Sequence, residues 1–231
     1  RVERIGNYAF SGCKSLRELF IKDGDSTLLL GVNLHTTSRK GEGLFFDCPL
    51  ETLYLGRTLD YSTSYFDGYA PFYDQQRLQS VVVGEHVVSL GDRLFFGCHS
   101  LAHVTVGGSV EFIANYVFKE CAALTEVVFR DGVLPLYVGY NKFASDGIGE
   151  PLFSDSPLHT VYLGRTLSYN VSRFYGFSPF YQQAALSSVT LGECVTFLPQ
   201  NLFYDCTSLT ELSIPGGVSA VGHSAFSGCT A

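Results

Sequence analysis

The chain has 231 residues, enough for one large domain or two small ones with a sizeable core. Hydrophobic residues make up 46% and charged residues 16%, which excludes a disordered chain, and no run of about 18 apolar residues is present that could enter a membrane. The net charge of −7 argues against nucleic acid as a partner. Because the chain begins at Arg1 and contains no Met, we expect a fragment or a processed form, so a missing signal peptide says nothing about export.

The first recognisable element is a motif that spaces one aromatic residue, one Cys and three apolar residues. It begins at Ile5 and contains Phe10, Cys13, Leu16 and Leu19 before it ends at Ile21. The same order returns later in the chain, around Phe95 and Cys98, Phe118 and Cys121, Phe203 and Cys206, and Phe226 and Cys229. A motif that recurs at a fixed period indicates a repeat architecture.

Diverged copies fill the gaps between these motifs. Residues 44–50 match residues 152–158, and residues 71–75 match residues 179–183, with Ser or Gln replacing Cys in three of these four copies. The spacings between successive Cys positions are 35, 27, 23 and 23 residues, then the same four again, and each set sums to 108. We therefore predict a single solenoid domain over residues 1–231, built from block one (1–108), block two (109–216) and the start of a third.

The two blocks match without a gap. Residues 1–123 align with residues 109–231, and roughly four positions in ten are identical. Positions 108 residues apart are called twins below. Duplication of a four-repeat unit explains this match.

Each repeat predicts a short strand, a turn and a second extended piece. Leu124–Phe129 alternates apolar residues as a strand does, Gly107 and Gly108 suit a turn, and Ser109–Ile113 forms the second extended piece. Residues 115–120 are expected to form a helical turn that buries Tyr116 or Phe118. A single coil exposes an apolar face that its neighbours must cover, so stability is shared along the array.

The underlying pattern Gly-x-x-Ala-Phe-x-Gly-Cys-x-x-Leu-x-x-Leu-x-Ile resembles the BspA-like leucine-rich-repeat family over essentially the whole chain. The Tyr-Leu-Gly-Arg-Thr-Leu segments resemble longer variants among proteins of gut and oral anaerobes. The resemblance implies an α/β repeat solenoid, a leucine-rich-repeat right-handed superhelix rich in strands with short helical turns. It also implies a bacterial protein that is secreted or attached to the cell surface and that adheres to host proteins or neighbouring cells.

Six of the seven Cys share one repeat position, called the slot below: Cys13, Cys48, Cys98, Cys121, Cys206 and Cys229. Gln75 and Ser156 occupy the slot elsewhere, so we predict a ladder of buried thiols at a position that accepts small or polar residues. A Cys98–Cys121 disulfide remains open, because neighbouring coils lie about 5 Å apart. Zinc is not expected, since no Cys-x-x-Cys or paired His spacing accompanies the ladder. Cys194 lies outside the ladder and is expected to be a free thiol.

Catalysis needs groups in unequal roles, and here the prominent charged residues have twins. The Asp before the slot, as at Asp47 and Asp155, suits a turn better than a general base. Arg57 and Arg165 are expected to tie a loop or to pack against the inserts. We therefore predict a non-enzyme with no catalytic residue, no metal site and no cofactor.

Two inserts widen each block, at residues 25–42 and 58–71 and their twins 133–150 and 166–179. The second insert is rich in rings: Tyr61, Tyr65, Phe66 and Tyr69 in block one, and Tyr169, Phe174, Tyr175 and Phe177 in block two. These eight residues are the predicted ligand-binding set, because solenoid insertions often line the binding face. In the alternative interpretation they cover a widened coil.

Three functions remain open. The first is a protein-binding scaffold of the adhesin type, whose partner is a surface protein of a host or of a neighbouring cell. The second is a carbohydrate-binding surface protein that uses the ring-rich inserts on a glycan. The third is a structural spacer.

Overall fold

The computed structural model describes residues 2–31, 44–61, 70–139, 152–170 and 178–231. Its main feature is a parallel sheet with one four-residue strand from each of seven successive coils. Neighbouring strands pair in register. In sheet order the strands are β2 (Glu18–Ile21), β4 (Thr52–Leu55), β6 (Ser80–Val83), β8 (His103–Val106), β10 (Glu126–Phe129), β12 (Thr160–Leu163) and β14 (Ser188–Leu191).

Each strand buries alternate residues, as the sequence pattern predicts. In β10, Val127 and Phe129 are buried while Glu126 is exposed, because successive side chains of a strand point to opposite faces. The residue that follows the strand makes a close turn. A Cβ added to Gly56 would lie 2.5 Å from the carbonyl oxygen of Ile21, so only Gly fits there.

A second side of the solenoid carries shorter strands in three separate groups. The first is β1 (Arg4–Ile5), β3 (Leu28–Leu30) and β5 (Leu59–Asp60); the second is β7 (Ser89–Leu90), β9 (Phe112–Ile113), β11 (Leu136–Val138) and β13 (Leu167–Ser168); the third is β15 (Phe197–Leu198) and β16 (Ala220–Val221). These groups are separated by two breaks, between β5 and β7 and between β13 and β15. At each break a Thr hydroxyl accepts a backbone N–H: Thr58 Oγ1 from Val88 at 2.8 Å and Thr166 Oγ1 from Thr196 at 2.9 Å.

The helical turn expected at residues 115–120 is a non-helical turn, and the described residues contain no helix. Tyr116 and Glu120 both have φ of 60°, a left-handed conformation that interrupts a right-handed helix. Phe118 is fully buried and Tyr116 is half-buried. In all nine coils the residue before the slot has positive φ, and it is Gly, Asp, Glu or Gln. The prediction that Asp47 and Asp155 serve as turn residues is therefore confirmed.

The core contains a continuous stack of nine Phe side chains, one from each coil. Successive ring centroids lie 5.0–5.8 Å apart with interplanar angles below 20°. The members are Phe10, Phe45, Phe72, Phe95, Phe118, Phe153, Phe180, Phe203 and Phe226. This stack joins the coils into one hydrophobic core.

From the second coil to the ninth, the slot beside this stack holds a side chain that donates a hydrogen bond to the preceding coil. Cys98 Sγ donates to the carbonyl of Phe72 at 3.2 Å, Ser156 Oγ to that of Phe118 at 2.8 Å, and Gln75 Nε2 to that of Phe45 at 3.2 Å. Cys48, Cys121, Gln183, Cys206 and Cys229 make the same bond to the preceding coil. The ladder exists because each coil leaves one buried carbonyl that the next coil must satisfy.

The ladder of buried thiols is confirmed for four of its six members. Cys48, Cys98, Cys121 and Cys206 are buried, Cys229 is half-buried and Cys13 is exposed. All seven Cys are free thiols, so the structure contains no Cys98–Cys121 disulfide. Burial raises the pKa of the Cys121 and Cys206 thiols to about 12.

The last copy of the sheet motif departs from the predicted pattern. Residues 211–214 form no strand, and Ile214 is exposed. In other coils the residue after the strand donates its N–H to the preceding coil, as Gly192 does to Leu163 at 2.9 Å. Pro215 occupies this position in the last copy and has no N–H to donate.

Candidate functional site

Of the eight aromatic residues predicted to bind a ligand, the structure describes Tyr61 and Tyr169. Both rings are partly buried against the hydrophobic core. Tyr61 donates its hydroxyl to the carbonyl of Asp92 at 2.9 Å, and Tyr169 donates to that of Gln200 at 2.7 Å. Burial raises the pKa of both phenols above their ordinary value. These contacts anchor the start of the insert to the following coil.

The other six predicted residues lie outside the described residues: Tyr65, Phe66, Tyr69, Phe174, Tyr175 and Phe177. A ligand-binding role for the set of eight stays a prediction. For Tyr61 and Tyr169 the observed contacts favour the alternative, in which the rings cover a widened coil.

Arg165 ties two loops, one of the roles expected for it. It is 1% exposed, and its guanidinium donates to the carbonyl of Leu134 from Nε at 2.9 Å and from Nη2 at 2.6 Å. A further bond runs from Nη1 to the carbonyl of Gly108. Burial lowers the pKa of this guanidinium. All of these donors therefore serve the scaffold rather than a ligand.

The best candidate site is a groove of about 650 Å³ in block one. It crosses three successive coils at the corner that each makes around its slot; the second and third of these corners follow the two inserts in sequence. Its lining residues are Lys14, Arg17, Phe46, Asp47, Cys48, Pro49, Ala70, Tyr73, Asp74, Gln75, Gln76 and Arg77. The name "groove" is kept below for this set.

The groove combines charged side chains with an exposed aromatic ring. Lys14 Nζ lies 3.7 Å from the carboxylate of Asp47, and Arg17 Nη1 lies 2.6 Å from Glu51 Oε1. Phe46 is 49% exposed. Arginine and aromatic side chains at one place are typical of protein-binding surfaces.

The twin region of block two has lost these features. Lys14, Arg17 and Arg77 correspond to Ala122, Thr125 and Ala185, and Phe46 corresponds to Ser154. By contrast, Asp47, Pro49, Tyr73 and Gln75 have identical twins. The two blocks therefore share the residues of the corner turn and differ in its charged and aromatic surface side chains.

The outer face of the main sheet also differs between the blocks beside this groove. Phe20 is 63% exposed and stacks on Tyr54 with ring centroids 4.3 Å apart and an interplanar angle of 8°. Its twin is Val128, beside Tyr162. The Arg17–Glu51 pair lies just before these strands in sequence, so the stack belongs to the first two of the three coils that form the groove.

Four groove residues were not among the predicted site residues: Lys14, Arg17, Phe46 and Arg77. The sequence signal that could have found them is the comparison of twins, in which a charged or aromatic residue of block one corresponds to Ala, Thr or Ser in block two. Many positions differ between the blocks, and only the structure shows that these four lie at one groove.

The described residues offer no group of three or more His, Cys, Asp and Glu that could hold a metal ion. In the same part of the chain there is no helix with the length and hydrophobicity needed to cross a membrane.

The family comparison finds six copies of a BspA type leucine rich repeat region, over residues 1–125, 41–177 and 142–231. Solved structures also match. The T. pallidum leucine-rich repeat protein has 23% identity and a TM-score of 0.48 over 91% of this chain and 81% of that chain. A leucine-rich repeat protein from Bacteroides ovatus has 21% identity and a TM-score of 0.46 over 98% and 68%. A leucine rich cell surface protein from Faecalibacterium prausnitzii has 16% identity and a TM-score of 0.26 over 99% and 75%. No functionally curated protein matches the chain.

Proposed function

The chain belongs to the BspA-type leucine-rich-repeat family, and on that premise we propose that it is a non-catalytic scaffold that binds another protein. In the proposed setting it is secreted or displayed at a bacterial cell surface and acts as an adhesin. Its partner is then a surface protein of a host or of a neighbouring cell. Repeat scaffolds of this kind offer extended surfaces for protein interaction.

The observation that carries the proposal is the contrast between the twin surfaces. The Phe stack and the slot hydrogen bonds run through both blocks, whereas the exposed Phe20, Phe46 and Arg77 occur in block one only. A spacer needs no such difference, because both blocks would serve it equally well. Exposed aromatic residues beside Arg suit a binding surface, where they contribute disproportionately to affinity.

The test is a binding panel of immobilised extracellular-matrix proteins and polysaccharides at physiological salt, probed with this chain. We expect saturable binding to a protein. The informative variant combines Phe20→Val with Phe46→Ser, the residues that block two carries at the twin positions, so that folding is retained. We expect this variant to bind the same protein at least tenfold more weakly.

Val133→Ser is the matched control, because Val133 is 90% exposed and lies outside the proposed surface. It should bind like the parent chain. Saturable binding to a polysaccharide alone would replace the proposal with the glycan-binding function. Equal binding by all three chains would show that the partner contacts another face.

A further inference from the structure

We propose that the groove binds an acidic segment of the partner protein, with Arg77 and Arg17 receiving carboxylates and Phe46 packing against a neighbouring apolar side chain. This inference deepens the proposed function and rests on it. It assigns the chemistry of the bound segment and the residues that recognise it.

The cations of the groove are open to a new partner. The guanidinium of Arg77 is exposed and makes no ion pair with any residue that the structure describes. Arg17 donates to Glu51 through Nη1, and a guanidinium has five N–H donors. Lys14 lies 3.7 Å from Asp47 with both side chains more than half exposed. Exposed pairs of this kind are weak, so the carboxylates of a ligand can compete for them.

The neutral polar groups of the groove are already engaged within the chain. Gln76 Nε2 donates to the carboxylate of Asp74, and Gln75 Nε2 donates to the carbonyl of Phe45 at 3.2 Å. A sugar needs free donors and acceptors for its hydroxyl groups. The groups left for a ligand are the three cations, the ring of Phe46 and the exposed carboxylate of Asp47. They fit an acidic peptide better than a glycan.

The groove is less negative than its twin. Three cations and two carboxylates line the groove, a net charge of +1 that Glu51 beside Arg17 lowers to 0, whereas the twin positions hold only Asp155, a net charge of −1. The chain as a whole has a net charge of −7. An acidic segment is therefore favoured here over the twin, which supplies an internal control.

The first experiment measures the fluorescence anisotropy of a labelled eight-residue peptide of alternating Glu and Tyr. The comparison peptide replaces Glu by Lys. We expect the acidic peptide to bind and the basic one to bind at least tenfold more weakly, with the difference shrinking from 50 to 300 mM NaCl. Arg77→Ala, which introduces the residue of the twin Ala185, should weaken acidic-peptide binding about tenfold.

The second experiment transfers the groove into block two. A variant with Ala122→Lys, Thr125→Arg, Ser154→Phe and Ala185→Arg should bind two acidic peptides per chain instead of one. The control variant Val133→Lys with Leu134→Arg adds positive charge at exposed positions away from both corners, and it should bind one.

The outcomes separate this inference from the proposed function. No binding of the acidic peptide, equal binding of both peptides, or an unchanged affinity of the Arg77→Ala variant would overturn the acidic-segment assignment. A heparin oligosaccharide that binds the groove more tightly than the peptide would overturn it in favour of an acidic glycan. If a panel protein binds but the acidic peptide does not compete with it, the scaffold function stands and the assigned chemistry is wrong.

Discussion

The Phe stack makes a quantitative prediction about where the solenoid is most sensitive to substitution. Phe118 is fully buried, with centroid distances of 5.8 Å to Phe95 and 5.6 Å to Phe153. Phe226 is half-buried, and among the described residues it stacks on Phe203 alone, at 5.7 Å. Replacing each by Leu keeps an apolar side chain and removes the ring, so the two variants differ mainly in the number of stacks lost.

The magnitudes follow from these contacts. An aromatic pair contributes about 0.5–1.5 kcal/mol beyond its buried area. The smaller Leu leaves a void of roughly 20 Å³, which costs about 0.5 kcal/mol. Phe118→Leu should therefore lower the free energy of unfolding by about 2–3 kcal/mol. Phe226→Leu should lower it by about 1 kcal/mol.

Urea unfolding followed by circular dichroism measures both losses, and the midpoint should fall while the slope stays constant. In a thermal scan, Phe118→Leu should lower Tm by roughly 4–12 °C, at about 2–4 °C per kcal/mol for a chain of this length. Equal losses for the two variants would show that stacking between coils does not set the stability of the array.

Three further predictions concern polar groups of the scaffold. Arg165→Met should cost about 2 kcal/mol in urea unfolding, since the carbonyls of Leu134 and Gly108 lose the donor that ties their loops together, and an equal loss for Arg57→Met would contradict that explanation. Because burial raises the pKa of Cys121 from its ordinary value near 9 to about 12, its contribution to stability is complete below pH 9 and is lost as the pH rises through 12. The urea midpoint should thus fall between pH 8 and 11, less steeply for Cys121→Ser, and a flat profile would disprove it. Tyr61→Phe should cost about 1 kcal/mol and leave partner binding unchanged, whereas a binding defect with normal stability would restore its predicted role in ligand binding.

The residue types in the slot were predictable from the repeat, but their shared role was not. Cys, Ser and Gln in equivalent positions indicated a small or polar preference, and the turn role of Asp47 followed from residue type. What these residues share is a donor aimed at the Phe carbonyl of the preceding coil. These three unlike side chains make the same hydrogen bond because successive coils are stacked at a fixed distance. The sequence of a single repeat does not contain that distance.

For the candidate site, the residue types pointed to a different role from the one that the structure shows. Ring-rich segments suggested binding residues, yet Tyr61 and Tyr169 use their hydroxyls to hold the next coil. Composition cannot separate an aromatic residue that covers the core from one that faces solvent. Exposure is decided by the neighbouring coil.

Local periodicity is enough to predict the repeat, its 108-residue duplication, the strand alternation and the aromatic and slot ladders. Which exposed residues meet depends on how the coils stack. Lys14, Phe46 and Arg77 lie in three different coils, and stacking the coils brings residues up to 63 positions apart to one groove. In a solenoid, residues one repeat apart in sequence become neighbours in space. A binding surface is therefore formed by several coils together.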